Sequence, residues 1–345
     1  MDFNQTYSVE WRLARVNKDT WEDGPEVGTV SSVSIERSAD EEVPLLESAS
    51  FEVSIPLGEE WENGWYRFEG LFEQDGEVER IPMGTFLVEA ASDKVDFGTQ
   101  SSTMDGWSVL KPAADVYMAV GDYVPKGVEG ASYAAKLLAS AIPAPISVEG
   151  SFVLDDHITY GKDASVLNVV WDVLDAGGFC IRLDGEGNVS IAQKPKGRAW
   201  EPYDAKSALF PGIERELDLT AVPNVYRAYS DTTMAEAVND SPESKVSTVF
   251  RGRRVEMVDT SPTRVNGETL YNYCRRRLEE ESTLFKSFTY TRELDPDARP
   301  FDIAREFLPE YGMEGDLRIV SQSVECGASV KITQKAAIEV KEFTA

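Results

Sequence analysis

Between Lys162 and Lys194 the apolar positions change period. Val166, Val169, Val170, Val173 and Leu174 recur at spacings of three and four, with Leu167 and Trp171 widening the stripe, which predicts one buried face of a helix. Asp163 stands ahead of the stripe, where an N-cap side chain is expected, and Gly177 and Gly178 follow it, where glycine reaches the left-handed C-cap conformation without steric cost. The period then drops to two. Phe179, Ile181 and Leu183 alternate with Cys180 and Arg182, and Val189 and Ile191 alternate again beyond the turn Asp184-Gly185-Glu186-Gly187. A helix followed by a β-hairpin is expected, a packing unit that carries no nucleophile, base or ligand cluster.

On either side the texture is β. From Tyr7 to about Lys111, apolar residues alternate through Val9, Trp11 and Leu13, then Val30, Val33 and Ile35, then Phe51, Val53 and Ile55, and again through the Trp65–Phe72 and Ile81–Val88 stretches. Strands at such intervals, joined by Gly, Asp and Asn turns, predict a sandwich or small barrel, with Pro56 and Pro82 at strand ends or on an edge. A short helix is expected over Ser132–Ile142, stopped by Pro143 and Pro145. Past Ala205 the β pattern returns at Ile213–Leu219 and Val222–Tyr229. Ser230–Lys245 reads as an exposed polar loop and Val246–Val258 as extended chain. Asn266-Gly267 opens a helix to about Ser282, with Leu270, Cys274 and Leu278 at spacing four, and two or three strands close the chain over Leu317–Val340. The expected fold is mainly β with α+β insertions: two similar β-barrel domains at 1–111 and 206–345 flank an α+β module at 112–205, and the second barrel carries a helical insertion around 262–283.

Charge narrows the function classes. Against 34 Lys+Arg stand 61 Asp+Glu, a formal net charge of −27 over 345 residues, and such a surface repels phosphate backbones rather than reading a nucleic-acid sequence. Solubility alone is the commoner explanation of such a charge. No apolar run approaches the length of about 20 residues that a membrane span needs, and the N-terminus lacks the basic-then-apolar pattern of a signal peptide. Cys180, Cys274 and Cys326 are scattered and read as buried thiols, so a cytoplasmic origin is expected.

Candidate chemistry is sparse. The single histidine, His157, follows Asp155 and Asp156, which invites a metal or triad reading, whereas a lone histidine at a strand edge is more often structural. Asp184–Asn188 resembles a calcium loop but lacks the terminal bidentate glutamate, so a hairpin turn is expected; Asp295 and Asp297 sit in a proline-broken loop. Arg275, Arg276 and Arg277 stand opposite Glu279, Glu280 and Glu281 on one helix, pointing to intrahelical pairs rather than a phosphate site. The aromatics Trp11, Trp21, Trp61, Trp65, Tyr66, Phe68 and Phe72 serve either as core or as a sugar platform, and core is the commoner use. Phosphate-loop, dinucleotide, zinc-protease and serine-hydrolase patterns are absent. Paired carboxylates leave a glycosidase open as the alternative. No catalytic, cofactor-binding or metal-binding residue is assigned.

Several stretches taken in order resemble the baseplate-hub and tail-tip proteins of tailed phages and prophages, the family of the T4 hub protein and of the N-terminal structural part of tail-associated lysins. They are Val9–Val16 at the start, the Gly84-Thr85-Phe86-Leu87-Val88 strand, Asp105-Gly106-Trp107 at the exit of the first β region, the helix and hairpin of Asp163–Ala192, and Pro223–Tyr229. The resemblance implies a structural, non-enzymatic, cofactor-free homotrimer in the virion tail. Its six barrels would ring a channel for DNA, between the neighbouring tail-tube or distal tail proteins and a central spike or fibre. An acidic lumen would suit that passage. Because the sequence ends at Ala345, the peptidoglycan-degrading domain of the long-tailed relatives is not expected. A carbohydrate-binding or glycan-cleaving tail module is the alternative function.

Overall fold

Burial alternates without a break along β4 (Glu47–Ile55): Glu47, Ala49, Phe51, Val53 and Ile55 point inward, while Ser50, Glu52 and Ser54 face out. Its neighbour β3 (Thr29–Ser38) does the same through Val33, Ile35 and Arg37. Residues two apart share a face of a strand, so the apolar alternation fixes which side meets the core. The computed structural model describes residues 2–3, 5–39, 43–58, 61–96, 99–194, 209–217, 219–220, 222–230, 233–296, 298–308, 311–327 and 329–343. The boundary expected at 205/206 lies outside the described residues.

The first β region adds β1 (Ser8–Val16), β2 (Asp23–Glu26), β5 (Gly64–Gln74), β6 (Glu77–Asp96) and β7 (Thr99–Ser108). The middle module contains α1 (Lys111–Asp115), β8 (Tyr123–Val124), α2 (Gly130–Ala139), β9 (Ile146–Val148), β10 (Ile158–Thr159), α3 (Val166–Gly177), β11 (Phe179–Leu183) and β12 (Val189–Gln193). Then come β13 (Leu209–Leu217), β14 (Val225–Ser230), β15 (Thr233–Val238), α4 (Thr248–Arg251), β16 (Glu256–Asp259) and α5 (Leu270–Glu281). The chain continues through β17 (Thr283–Arg292), β18 (Ile303–Leu308), β19 (Met313–Cys326) and β20 (Val330–Lys341).

The fold is mainly β, and its two β regions are continuous. Among the described residues, twelve strands form one sheet in the order β13-β17-β20-β19-β3-β4-β7-β6-β5-β1-β2, with β18 also on β19. The long strand β19 makes the join. Its first half pairs with β18, and its second half pairs with β3 from Ser321↔Ser38 to Cys326↔Val33. Val324, Cys326, Val330 and Ile332 accordingly complete a core built from Leu13, Ile35, Phe51, Phe68, Phe72 and Phe86 of the first region. The module core, centred on α3, merges with Trp21, Leu46 and Trp65 of the first region and Phe301 of the second.

The expected helix and hairpin form, with one shift. The N-cap is Ser165, not Asp163: Ser165 Oγ accepts the Asn168 N–H at 3.2 Å and Asn168 Oδ1 accepts the Ser165 N–H at 3.3 Å, a reciprocal capping box. Backbone bonds from Met118 to Ala164 and from Val166 to Val116 hold Ala164 and Ser165 extended, so the helix begins at Val166, two residues later than a cap at Asp163 would start it. Gly178 ends it at φ 69°. Ser165→Ala is expected to cost about 1 kcal/mol, read as a lower denaturation midpoint, while Asp163→Ala stays within about 0.5 kcal/mol.

Other boundaries move for similar local reasons. The helix expected over Ser132–Ile142 runs Gly130–Ala139, because the Glu129 carboxylate accepts the Ala131 and Ser132 N–H groups. Ser230–Lys245 is not a loop throughout: Thr233–Val238 pairs with β14, and the alternation that marks it is carried by the small Ala235 and Ala237. Val246–Val258 is not extended throughout either. Ser247 caps a helical turn at Thr248–Arg251, Gly252 stops it at φ 63°, and the strand starts at Glu256. Asn266 and Gly267 form a turn at φ 53° and 78°, and the helix starts after Thr269, whose side chain caps it. That helix packs on a separate sheet, β15-β14-β16, through Tyr273, Cys274 and Leu278.

Candidate assembly junction

The aromatic residues of the first region are used on one another. Trp11 stacks on Phe68 with centroids 5.0 Å apart and meets Phe72 edge-on, Trp61 lies 4.6 Å from Tyr66, and Trp21 lies 5.6 Å from Trp65. Trp21, Trp65, Tyr66, Phe68 and Phe72 are buried, so the cluster is core.

The acidic candidates are likewise spoken for. Asp156 takes a two-pronged bond from the Arg264 guanidinium, both contacts at 2.7 Å, and Asp155 accepts the Gly267 N–H. Burial pushes the Asp156 carboxyl up, but the hydrogen bonds from Arg264 outweigh it and hold the group below its usual range. His157 is exposed beside them, ahead of β10. Asp184 braces its own turn: both carboxylate oxygens accept from Asn188, from its N–H and its side-chain amide, each at 2.8 Å. Asp295 lies 3.6 Å from Arg292, and Asp297 lies outside the described residues. The α5 pairs form as expected, Arg276–Glu280 at 3.2 Å and Arg277–Glu281 at 2.8 Å, and Arg277 also reaches Asp175 of α3 at 3.2 Å. Burial pushes the Cys180 thiol up to about 11 and Cys326 up to about 12, so both stay protonated at neutral pH. Among the described residues, no group of three or more His, Cys, Asp or Glu side chains is placed to hold a metal. No helix among them is long and apolar enough to cross a membrane.

What the structure does assemble is a polar junction where the three parts meet. Arg37 and Glu47 are cross-strand partners on β3 and β4, each 4% exposed, with the guanidinium Nε 2.9 Å from the carboxylate. Arg299, 11% exposed, donates to the same Glu47 oxygen at 3.4 Å, so two cations share one buried carboxylate. Both also donate to the Met83 carbonyl, at 2.5 and 3.3 Å. Burial and the Arg37 charge push the Arg299 guanidinium down to about 9, against Glu47, which leaves it charged at neutral pH.

From Arg37 the network crosses into the second β region. Arg37 donates to Gln322 at 3.5 Å, Gln322 to Gln334 at 3.0 Å, and Gln334 to the Tyr290 hydroxyl at 2.8 Å. Toward the module, Arg182 of β11 pairs with Asp302, whose carboxyl is nonetheless pushed above its usual range by burial. The β11–β12 turn presses on the first region as well. Its Glu186 carbonyl accepts the Trp21 indole N–H at 2.9 Å and the Arg67 guanidinium at 3.0 Å. A Cβ on Gly185 would fall 1.9 Å from the Pro82 carbonyl oxygen, so only glycine permits that approach. A network of this kind holds the parts it joins in fixed positions.

Sequence reading passed over Arg37, Glu47 and Arg299. A signal existed for two of them: Arg37 stands in phase with Val33 and Ile35, and Glu47 with Phe51, Val53 and Ile55. Opposite charges at inward positions of consecutive strands mark a buried pair. Arg299 carries no such pattern.

No family model matches the chain, and no curated protein matches it. Solved structures do. The tail protein from Neisseria meningitidis MC58 aligns over 97% of this chain and 97% of its own at TM-score 0.65 and 13% identity. The 43 kDa tail protein of prophage MuSo2 from Shewanella oneidensis aligns over 96% and 98% at TM-score 0.64 and 12% identity. Prophage tail protein gp18 from Listeria monocytogenes EGD-e aligns over 95% and 94% at TM-score 0.56 and 12% identity. Over nearly its whole length, therefore, this chain has the fold of prophage tail proteins.

Proposed function

We propose that this protein is a structural, non-catalytic component of a phage or prophage tail tip or baseplate hub. The observation that carries the reading is the alignment with tail proteins over nearly the full length of both chains. The continuous sheet supports it, because a protein that bridges assembly partners needs its parts held at fixed angles, and β19 and the Arg37–Glu47 junction brace them. In this reading residues 1–111 and 206–345 act as two tail-tube-like barrels flanking the module at 112–205. Three copies close a ring that matches the sixfold tail tube on one side and a threefold spike or fibre on the other, and DNA passes without sequence-specific contact. The net charge of −27 favours such passage where acidic side chains line the channel. The virion tail is then its place of action, with neighbouring tube or distal tail proteins as partners.

Light scattering after size exclusion tests the ring. Three copies give three times the 38.2 kDa of one chain, and negative-stain images then show a ring with a central hole. A monomer that also stays monomeric when mixed with the adjoining tail-tube protein overturns the trimer.

A further inference from the structure

Residues 222–282 stand apart from the rest of the chain in how they are held. They have their own core, in which Tyr226, Ala228 and Ala237 of the sheet meet Tyr273, Cys274 and Leu278 of α5, with Phe343 packed alongside. On one side this unit is anchored to the end of β20: the Asn239 amide donates to the Glu342 carbonyl at 3.1 Å, and the Lys245 N–H donates to the Glu342 carboxylate at 2.6 Å. On the other side it meets the middle module, and there the contacts are of a different kind. Among the described residues of the unit, half-buried Val265 packs against the module core.

Among the described residues, polar contacts to the module fall in two places. At the first, Asp155 donates its N–H to the Arg264 carbonyl at 2.9 Å, Asn266 donates to the Val153 carbonyl at 3.1 Å, and Asp156 holds the Arg264 guanidinium from both oxygens. At the second, Asp175 of α3 lies between Arg277 of α5 at 3.2 Å and Lys194 at 3.0 Å. The module docks on the first β region quite differently, by sharing one apolar core with Trp21, Leu46 and Trp65.

We propose that residues 222–282 are clasped to the middle module by an ionic latch, and that the unit leaves the module as a body when the latch charges are removed or screened. Two bodies with separate cores and a polar contact move relative to one another more readily than two that share a core. Because its carboxylates are only partly shielded, salt weakens the latch as well. The swing pivots on the Glu342 anchor, which contains neither latch carboxylate. Each body keeps its own core throughout.

Hydrogen exchange on the full-length protein tests this at neutral pH. In the Asp156→Asn, Asp175→Asn double variant, peptides spanning 153–157 and 264–268 are expected to exchange about tenfold faster or more, while those from α3, β14 and α5 keep their rates. One molar sodium chloride is expected to act on the wild type in the same direction and at the same peptides. The swapped variant Asp156→Arg with Arg264→Asp restores protection at 264–268. Unchanged exchange at both latch peptides overturns the proposal, and so does an equal acceleration in α3 and α5, because the unit would then be integral to the module.

Discussion

Glu47→Gln is expected to lower stability by about 3–5 kcal/mol, the range for leaving a buried charge without its partner. Glutamine keeps the shape of the side chain and removes the charge, so Arg37 and Arg299 lose the carboxylate they share and remain beside each other at low dielectric. The Met83 carbonyl, their other common acceptor, carries only a dipole. Urea unfolding followed by tryptophan fluorescence reads the loss. Arg299→Met is expected to cost less, because it removes one of two like charges and leaves Arg37 still paired with Glu47. A loss below about 1 kcal/mol for Glu47→Gln, the size of a surface pair, would show that water reaches the junction.

Phe86→Ala is the second large effect, at about 3–5 kcal/mol. The ring is fully buried and lies in a slot made by glycines. A Cβ on Gly84 would come within 2.5 Å of the Phe86 ring, and one on Gly106 within 2.7 Å of Phe51 and 2.9 Å of Phe86. Phe51 then meets Phe86 edge-on at 5.5 Å. Two of the stretches by which the sequence resembles tail-tip proteins, Gly84-Thr85-Phe86 and Asp105-Gly106-Trp107, are thus neighbours on β6 and β7 that shape one packing site. With the ring gone, the backbone of three paired strands cannot close the slot, and the cavity remains. Chemical denaturation measures the cost, and a loss under about 1 kcal/mol would mean that the strands collapse over the space.

Much of the fold was legible in single residues. The switch of period at Gly177-Gly178 placed α3 and the hairpin, because burial of one face is a local demand that helix and strand geometry translate into spacing. The same demand located β1, β3, β4, β5 and the first part of β6, but not β2 or β7, whose residues carry no apolar alternation. Where side chains are small the signal vanished: Ala235 and Ala237 alternate correctly on β15 but bury little surface, and the apolar Met234 and Val238 on the opposite face blur the alternation. Caps were legible only as residue types. Asp163 and Ser165 are both good N-caps, and the choice between them was made by Val116 and Met118, whose backbones pair with Val166 and Ala164 from nearly fifty residues away.

The junction shows the same division. Inward phase on β3 and β4 carried Arg37 and Glu47, since a strand's alternation assigns a face to every residue on it. That β19 would lie against β3, that Arg299 would share Glu47, and that the Gly185 turn would press on Pro82 were decided only by tertiary structure. Local sequence thus determined the mainly β texture, the helix-hairpin module and the faces that must be buried. Which buried faces meet was decided in three dimensions, because a pairing between residues 285 positions apart, such as Arg37 with Gln322, depends on how whole sheets join and leaves no periodic trace in either strand.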